Sequence, residues 1–287
     1  MPPAALFPEP LMQDALQVAA LATQQIGSPA FAPSIARICQ SLSAYDGFMV
    51  YAFCRDEVPR LLFSNLAPSD IQACWPPYFG GAYLLDPFFG LFRSQAPDGL
   101  YRLKDLAPDD FYDSEYHKSF YLKTGLRDEI ALVFGLAEGT QIHVSLGLRS
   151  AQVQVTDHDL QRLQAFAPLL TALCSRHWSD LTTSPAGPTP HTGAHLDRAF
   201  QRFGASVLSE REAETARLIL MGHSGKSIAR ELNISPETVK VYRKRVHSKL
   251  HIRSQAELFS LFLTSVQNAP IGVDQDPLAF VAFRATP

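Results

Sequence analysis

The spacing of apolar positions divides the chain into two unlike parts. Helical intervals over Leu11–Gln25 and Ser34–Ser43 predict two amphipathic helices. The runs Phe48–Cys54 (FMVYAFC) and Arg60–Phe63 flank a polar turn and predict a strand pair. Ile130–Leu136 and Gln141–Leu148 predict another pair around Glu138–Gly139. A long helix follows over Thr156–Trp178, with Thr156 as cap and Asp157 and Asp159 in the first turn, where carboxylates face free amides. Hairpin connections outnumber crossovers. The expected fold class is therefore α+β: an N-terminal α-β-α sandwich with a mostly antiparallel sheet, followed by an all-α C-terminal part. A phosphorylatable receiver domain would need a doubly wound parallel pattern instead.

The pattern breaks at Ser179–Pro190 (SDLTTSPAGPTP), whose three closely spaced prolines resist both helix and sheet. A short helix is expected over Ala194–Phe203. Beyond it, Ser209-Glu210-Arg211-Glu212 is a capping box that opens a helix to about Met221. A second helix spans about Lys226–Leu232, and Asn233-Ile234 makes a turn. Ser235 caps a third helix with Pro236 at its first position, where a missing amide hydrogen costs nothing. The expected division is residues 1–178 as a first domain, 179–206 as linker, 207–266 as a helix-turn-helix domain, and 267–287 as a tail.

The third helix carries the chemistry. Val239, Tyr242, Val246 and Leu250 recur at spacings of three and four and form the expected buried stripe. Lys240, Val241, Arg243, Lys244, Arg245 and Lys249 lie off it, and no acid interrupts Val239–Leu250. An apolar Val241 on a basic face has no packing reason to be there. It can meet a thymine methyl while Lys240 and Lys244 reach base acceptors, with Arg243, Arg245 and Lys249 gripping the backbone. A merely solvated basic face is the alternative that this charge pattern leaves open.

Residues Leu208–Leu263 resemble the LuxR-type (GerE/FixJ-like) helix-turn-helix domain, through LSEREAE and GHSGKSIARELNISPETVKVYRKRVHSKLHIRSQAEL. The resemblance implies four helices, the third in the major groove of double-stranded DNA, and a homodimer formed through the fourth. That fourth helix starts at Ser254-Gln255-Ala256-Glu257, and its Leu258, Phe259, Phe262 and Val266 are too apolar to stand exposed. It further implies base reading by Lys240, Val241 and Lys244, and phosphate contacts near Thr238, Tyr242 and Arg243, with Tyr242 standing where the family usually has His. Ser224 and Lys226 are expected to face the DNA backbone. Although Gly225-Lys226-Ser227 invites a nucleotide-binding reading, a phosphate loop needs glycine at position 220, which is Leu, and a preceding strand.

Charge sharpens the division. The chain of 287 residues has a formal net charge of −3, yet Ser206–Val266 holds 10 Lys/Arg against 6 Glu, so a basic module sits on an acidic one. No apolar run is long enough for a membrane span, and the start MPPAALFPEP lacks the charge and apolar pattern of a signal peptide, so a cytoplasmic chain is expected. Cys39, Cys54, Cys74 and Cys174 are scattered and predict reduced core thiols. No metal or cofactor is expected. Without a nucleophile elbow or a Ser/His/Asp constellation, no enzyme is expected either.

Residues 78–121 hold 12 of the 30 aromatics, which fits either a core or an apolar pocket for a small-molecule signal. Asp86 stands in an apolar run, where a carboxylate must be paired, capping a helix at Pro87, or accepting from a ligand. This stretch is similar to the acyl-homoserine-lactone-binding domain of quorum-sensing members of the family. The similarity implies pocket roles for Trp75, Tyr78, Asp86 and Ser145, with Tyr101 standing for a later family tryptophan and Tyr83, Phe88 and Phe89 as further walls. Arg127-Asp128-Glu129 stands where that family has glycine. Asp128 and Glu129 either favour a cationic or amine-bearing ligand over an unmodified lactone or form surface pairs. A ligand-independent protein-interaction module is the alternative for this domain.

Overall fold

A computed structural model of the protein describes residues 9–136, 139–152, 154–181 and 192–281. Glu138 of the expected hairpin turn, residues 182–191 of the expected linker and 282–287 of the expected tail lie outside them. The first part contains α1 (Glu9–Gln24), α2 (Phe31–Leu42), β1 (Gly47–Cys54), β2 (Arg60–Ser64), α3 (Pro68–Phe79) and α4 (Pro87–Arg93). It continues through β3 (Gly99–Arg102), α5 (Leu103–Leu106), β4 (Asp128–Gly135), β5 (Thr140–Leu148) and α6 (Asp157–His177). Then come α7 (Thr192–Arg202), α8 (Glu210–Leu220), α9 (Gly225–Leu232), α10 (Pro236–Lys249) and α11 (Gln255–Asn268).

The strands form one sheet in the order β2-β1-β5-β4-β3, with every neighbouring pair antiparallel. The two faces differ because the strands alternate. Phe48, Val50 and Ala52 of β1, Ile130, Leu132 and Phe134 of β4, and Ile142, Val144 and Leu146 of β5 pack with α1, α2 and α6 in one core. Each large apolar side chain so buried contributes about 1.5–3 kcal/mol. Cys39, Cys54 and Cys174 are free and buried in this layer, as a reduced core requires. Thr156 and Asp159 form the capping box that starts α6.

The opposite face is more polar. Gln141, His143 and Ser145 alternate along β5 opposite Phe53, Tyr51 and Met49 of β1. Glu129, Ala131 and Val133 share that face on β4. Covering it are α3, α4, α5 and a π-helical turn at His117–Leu122. The architecture is thus an α-β-α sandwich with an antiparallel sheet, joined to a helix-turn-helix bundle.

The C-terminal helices start where expected. The side-chain oxygens of Ser209, Ser224, Ser235 and Ser254 accept from the amides of Glu212, Ser227, Thr238 and Glu257. Each such cap contributes about 1 kcal/mol. Asn233 turns the chain between α9 and α10 with φ of 53°. One expectation is corrected. The apolar stripe of α11 is not left for a second copy: Leu258 and Phe262 are fully buried within this chain. Phe262 packs edge-on against Phe200 of α7 and Phe203, at 5.4 and 5.5 Å. The tail closes the same bundle. Leu278 is buried, and Asp276 accepts from the amides of Gly204 and Ser206 at 3.1 and 2.7 Å.

Among the described residues, the bundle docks on the sandwich at several places. Ala194 N donates to Asp56 O at 3.2 Å, and Gly193 lies so close to Glu57 that a Cβ there would sit 2.1 Å from its carbonyl oxygen. Gly80 and Gly81 lie against Gln267 and Val266 of α11. The loop at 109–111 meets Gly222 and Ser224.

Candidate DNA-binding face and ligand cavity

The third bundle helix, α10, divides as its sequence predicts. Val239, Val246 and Leu250 are buried, and Tyr242 is half-buried. Val241 is 46 % exposed, and the Lys240 side chain 79 %. Lys240 makes only a long 4.0 Å contact to Glu237 one turn earlier, and Lys244 is exposed beside it. Such an exposed pair contributes little to stability. Thr238 stands in the first turn and donates its amide to Ser235 Oγ at 3.0 Å. Arg243 is half-buried.

One expected DNA-gripping cation is otherwise engaged, and a second, exposed one lies near the same acid. Lys249 Nζ donates to Glu212 Oε2 at 2.6 Å, and Arg245 lies 3.9 Å from Glu212 Oε1. Glu212 is buried and also accepts from Ser209 N at 2.9 Å. Burial alone would raise its carboxyl, but Lys249 and the Ser209 amide hold it below the ordinary carboxylate range. Lys249 therefore ties α10 to the start of α8, with Arg245 exposed nearby. Ser224 is likewise occupied: its amide donates to Asp109 Oδ1 at 2.9 Å and its hydroxyl to Asp109 Oδ2. Lys226 is exposed two residues further on.

The sandwich holds a cavity of about 70 Å³ between the sheet and the α3 side. Of the expected ligand residues, Trp75, Tyr78 and Asp86 line it. Ser145 reaches it through Glu129, to which its hydroxyl donates. The remaining four are elsewhere. Tyr83, Phe88 and Phe89 pack in the core, and Tyr83 and Phe89 flank a separate groove beside α7. Tyr101 lies on the edge strand β3 and donates to Pro97 O at 2.7 Å. Tyr116, Phe120 and Tyr121 of the aromatic segment also line it, as do Tyr51 and Arg149, which the sequence did not single out. The alternation of β1 was a signal for Tyr51, since it points away from the Phe48–Val50 face.

Two carboxylates define the cavity's chemistry. Asp86 caps α4 by accepting from Phe88 N at 2.8 Å, and its other oxygen accepts from Tyr78 Oη at 2.8 Å. Capping and cavity lining are thus one arrangement. Burial raises its carboxyl, against the hydrogen bonds from Tyr78, Phe88 and Tyr116. Glu129, 4 % exposed, accepts from Tyr121 Oη at 2.7 Å. Burial, then the charge of Asp86, push its carboxyl up to about 7. Burial keeps Tyr78, Tyr116 and Tyr121 protonated well past their usual range, so they remain donors. Asp128, the other acid of that sequence, is not in the cavity: it lies 3.6 Å from Arg102. Arg149 is committed to Asp70 at 2.7 Å and to Thr124 O at 2.8 Å. Trp75 Nε1 is buried with no hydrogen-bond partner among the described residues.

A helix-turn-helix bundle with an exposed basic third helix, joined to a cavity-bearing sandwich, defines a two-part DNA-binding transcriptional regulator. The chain belongs to the luxR family of bacterial regulatory proteins. The family described as "Bacterial regulatory proteins, luxR family" (GerE) matches residues 206–262. A chain from Aeromonas salmonicida, designated an HTH-type transcriptional regulator in the exeN 3′ region, is 32 % identical over 197 residues, covering 67 % of this chain and all of that one. The nitrate/nitrite response regulator protein NarP of Escherichia coli is 42 % identical over 71 residues, 23 % of this chain and 33 % of NarP. The LBD domain of VqsR from Pseudomonas aeruginosa has the same fold over 58 % of this chain and 95 % of its own, with 22 % identity and a TM-score of 0.50. Among the described residues, no helix is long and apolar enough to cross a membrane.

Proposed function

We propose that the protein is a cytoplasmic, ligand-responsive regulator that reads DNA with Lys240, Val241 and Lys244. Thr238, Tyr242, Arg243 and Lys226 are its phosphate contacts, and two copies act on paired half-sites. The observation that carries the reading is Val241, an apolar side chain held exposed beside Lys240 and Lys244, two solvent-facing lysines on an acid-free stretch of α10. The test is selection of bound sequences from a random duplex pool with the full chain. Wild type enriches a defined motif, and Lys240→Glu and Lys244→Glu each abolish the enrichment. Equal enrichment by all three overturns the reading.

The same proposal makes the cavity the signal site, with a preference for small ligands that donate hydrogen bonds or carry positive charge. Glu129 and Asp86 are acceptors in an aromatic enclosure, where a cation gains from both the carboxylates and the ring faces. An acyl-homoserine lactone offers one N–H and several carbonyl oxygens, which face repulsion from a second buried carboxylate. A thermal-shift series of alkylammonium ions with two to six carbons, against the matching alcohols, tests this. Stabilisation by the ammonium series, lost in Glu129→Gln, supports the preference. Stabilisation by N-octanoyl-homoserine lactone or the alcohols alone refutes it, and no shift with any probe favours a ligand-independent module.

A further inference from the structure

We propose that the Asp109 loop is an intramolecular lock on the DNA-binding part, coupled to the cavity; the coupling rests on the signal-site reading above. Asp109 places both carboxylate oxygens on Ser224, one on its backbone amide at 2.9 Å and the other on its hydroxyl. Ser224 is the N-cap of α9, and Asp109 shares a groove with Lys226, Arg230 and Asn233. Amides at a helix start, a capping hydroxyl and a nearby lysine are the donor set that takes a DNA phosphate. The carboxylate presents an anionic oxygen pair to those same donors. Asp109 and a phosphate therefore compete for the same atoms.

The contact is built in on both sides. Asp110 N donates to Gly222 O at 3.0 Å. Gly222 has φ of +91°, and a Cβ there would lie 2.8 Å from Phe111 Cα, so glycine is needed for the close approach. Hydrogen bonds from the Ser224 hydroxyl and amide outweigh what burial Asp109 has and hold its carboxyl below its ordinary range, so it stays charged.

Phe111 links this contact to the cavity. It is fully buried, packs edge-on against Tyr121 at 5.6 Å, and lies 6.0 Å from Tyr116. Those tyrosines line the cavity and give their hydroxyls to Glu129 and Asp86. A ligand that takes either carboxylate frees the ring on which Phe111 rests. The chain then divides between a locked state, with Ser224 on Asp109, and an open one, with Ser224 on DNA. Signal binding shifts the balance between them.

The test measures full-length protein binding to a random-sequence 30-base-pair duplex by fluorescence anisotropy at low salt. Asp109→Ala is expected to bind about tenfold more tightly than wild type, with a salt dependence steeper by about one counterion. Asp110→Ala removes an equal charge one residue away and keeps the backbone bond to Gly222, so it should stay near wild type. Phe111→Leu, which loosens the seat without emptying it, should give a smaller gain. An unchanged Asp109→Ala, or an equal gain in Asp110→Ala, overturns the lock and leaves the regulator reading standing. If wild type and Asp109→Ala bind no better than Lys240→Glu and Lys244→Glu, the DNA-binding reading fails and the lock falls with it. Asp109 is exposed, so its truncation leaves the fold intact, which a thermal melt checks.

Discussion

Replacing Glu129 by Gln should convert a pH-dependent stability into a flatter one. The carboxyl is pushed up to about 7 in the folded chain against 4.5 for an ordinary glutamate, because it is buried and close to the charge of Asp86. The folded chain thus holds the Glu129 proton more tightly than the unfolded chain does. The stabilisation is full below about pH 4.5 and is lost as pH rises through 7. Each pKa unit corresponds to about 1.4 kcal/mol, so between pH 5 and pH 8 wild type should lose a few kcal/mol, on the order of 2–3, through this group. Gln keeps the size and an acceptor for Tyr121, and it relieves Asp86 of its charged neighbour. The other titratable groups lining the site (Asp70, Asp86, Tyr51, Tyr78, Tyr116, Tyr121 and Arg149), and Asp128 outside it, are common to both proteins. Urea unfolding of both, with the cavity empty, gives stability at each pH. The curves should diverge steadily as pH rises, Gln becoming the more stable. Parallel curves would refute the placement of an unpaired carboxylate in the cavity.

Lys249→Met leaves the buried carboxylate of Glu212 with the Ser209 amide and no cation nearer than Arg245, and should cost about 2 kcal/mol, read as a lowered Tm. Phe262→Ala should cost about 3–5 kcal/mol at every protein concentration, because its ring packs on Phe200 and Phe203 of the same chain. A loss that varies with concentration would mean the ring packs between copies. Gly193→Ala forces a methyl against Glu57 O and should undock the bundle from the sandwich, raising the radius of gyration in small-angle scattering. An unchanged radius would refute that docking.

The fold was legible where local chemistry decides it. Serine caps, Pro236 and the alternation of β1 and β5 are statements that neighbouring residues make about each other, and the elements begin and end near where those statements point. The short edge strand β3 (GLYR) was not legible, since its four half-buried residues carry little pattern and pair only through β4. Nor was the path of α3, which runs through Pro76 and Pro77. The cavity was half legible for a similar reason. Asp86 stood out as a carboxylate among apolar neighbours, but its partner Glu129 comes from a strand on the far side of the aromatic segment. Nothing in Arg127-Asp128-Glu129 says which acid turns inward; the pleat of β4 decides. Lys249 looked like its basic neighbours until Glu212, 37 residues earlier, came within reach. The burial of α11 was misread because α7 and the tail, which cover it, lie far from it or beyond it in sequence.

The position of Trp75 has a practical side. The chain has two tryptophans. Trp178 is packed edge-on to Phe31 beneath the opposite face of the sheet. Trp75 stands in the cavity wall, 5.7 Å from Tyr51 and 5.2 Å from Tyr78. One indole is therefore a built-in optical gauge of whatever enters, while the other is a steady internal reference, and occupancy can be followed from native emission without any dye.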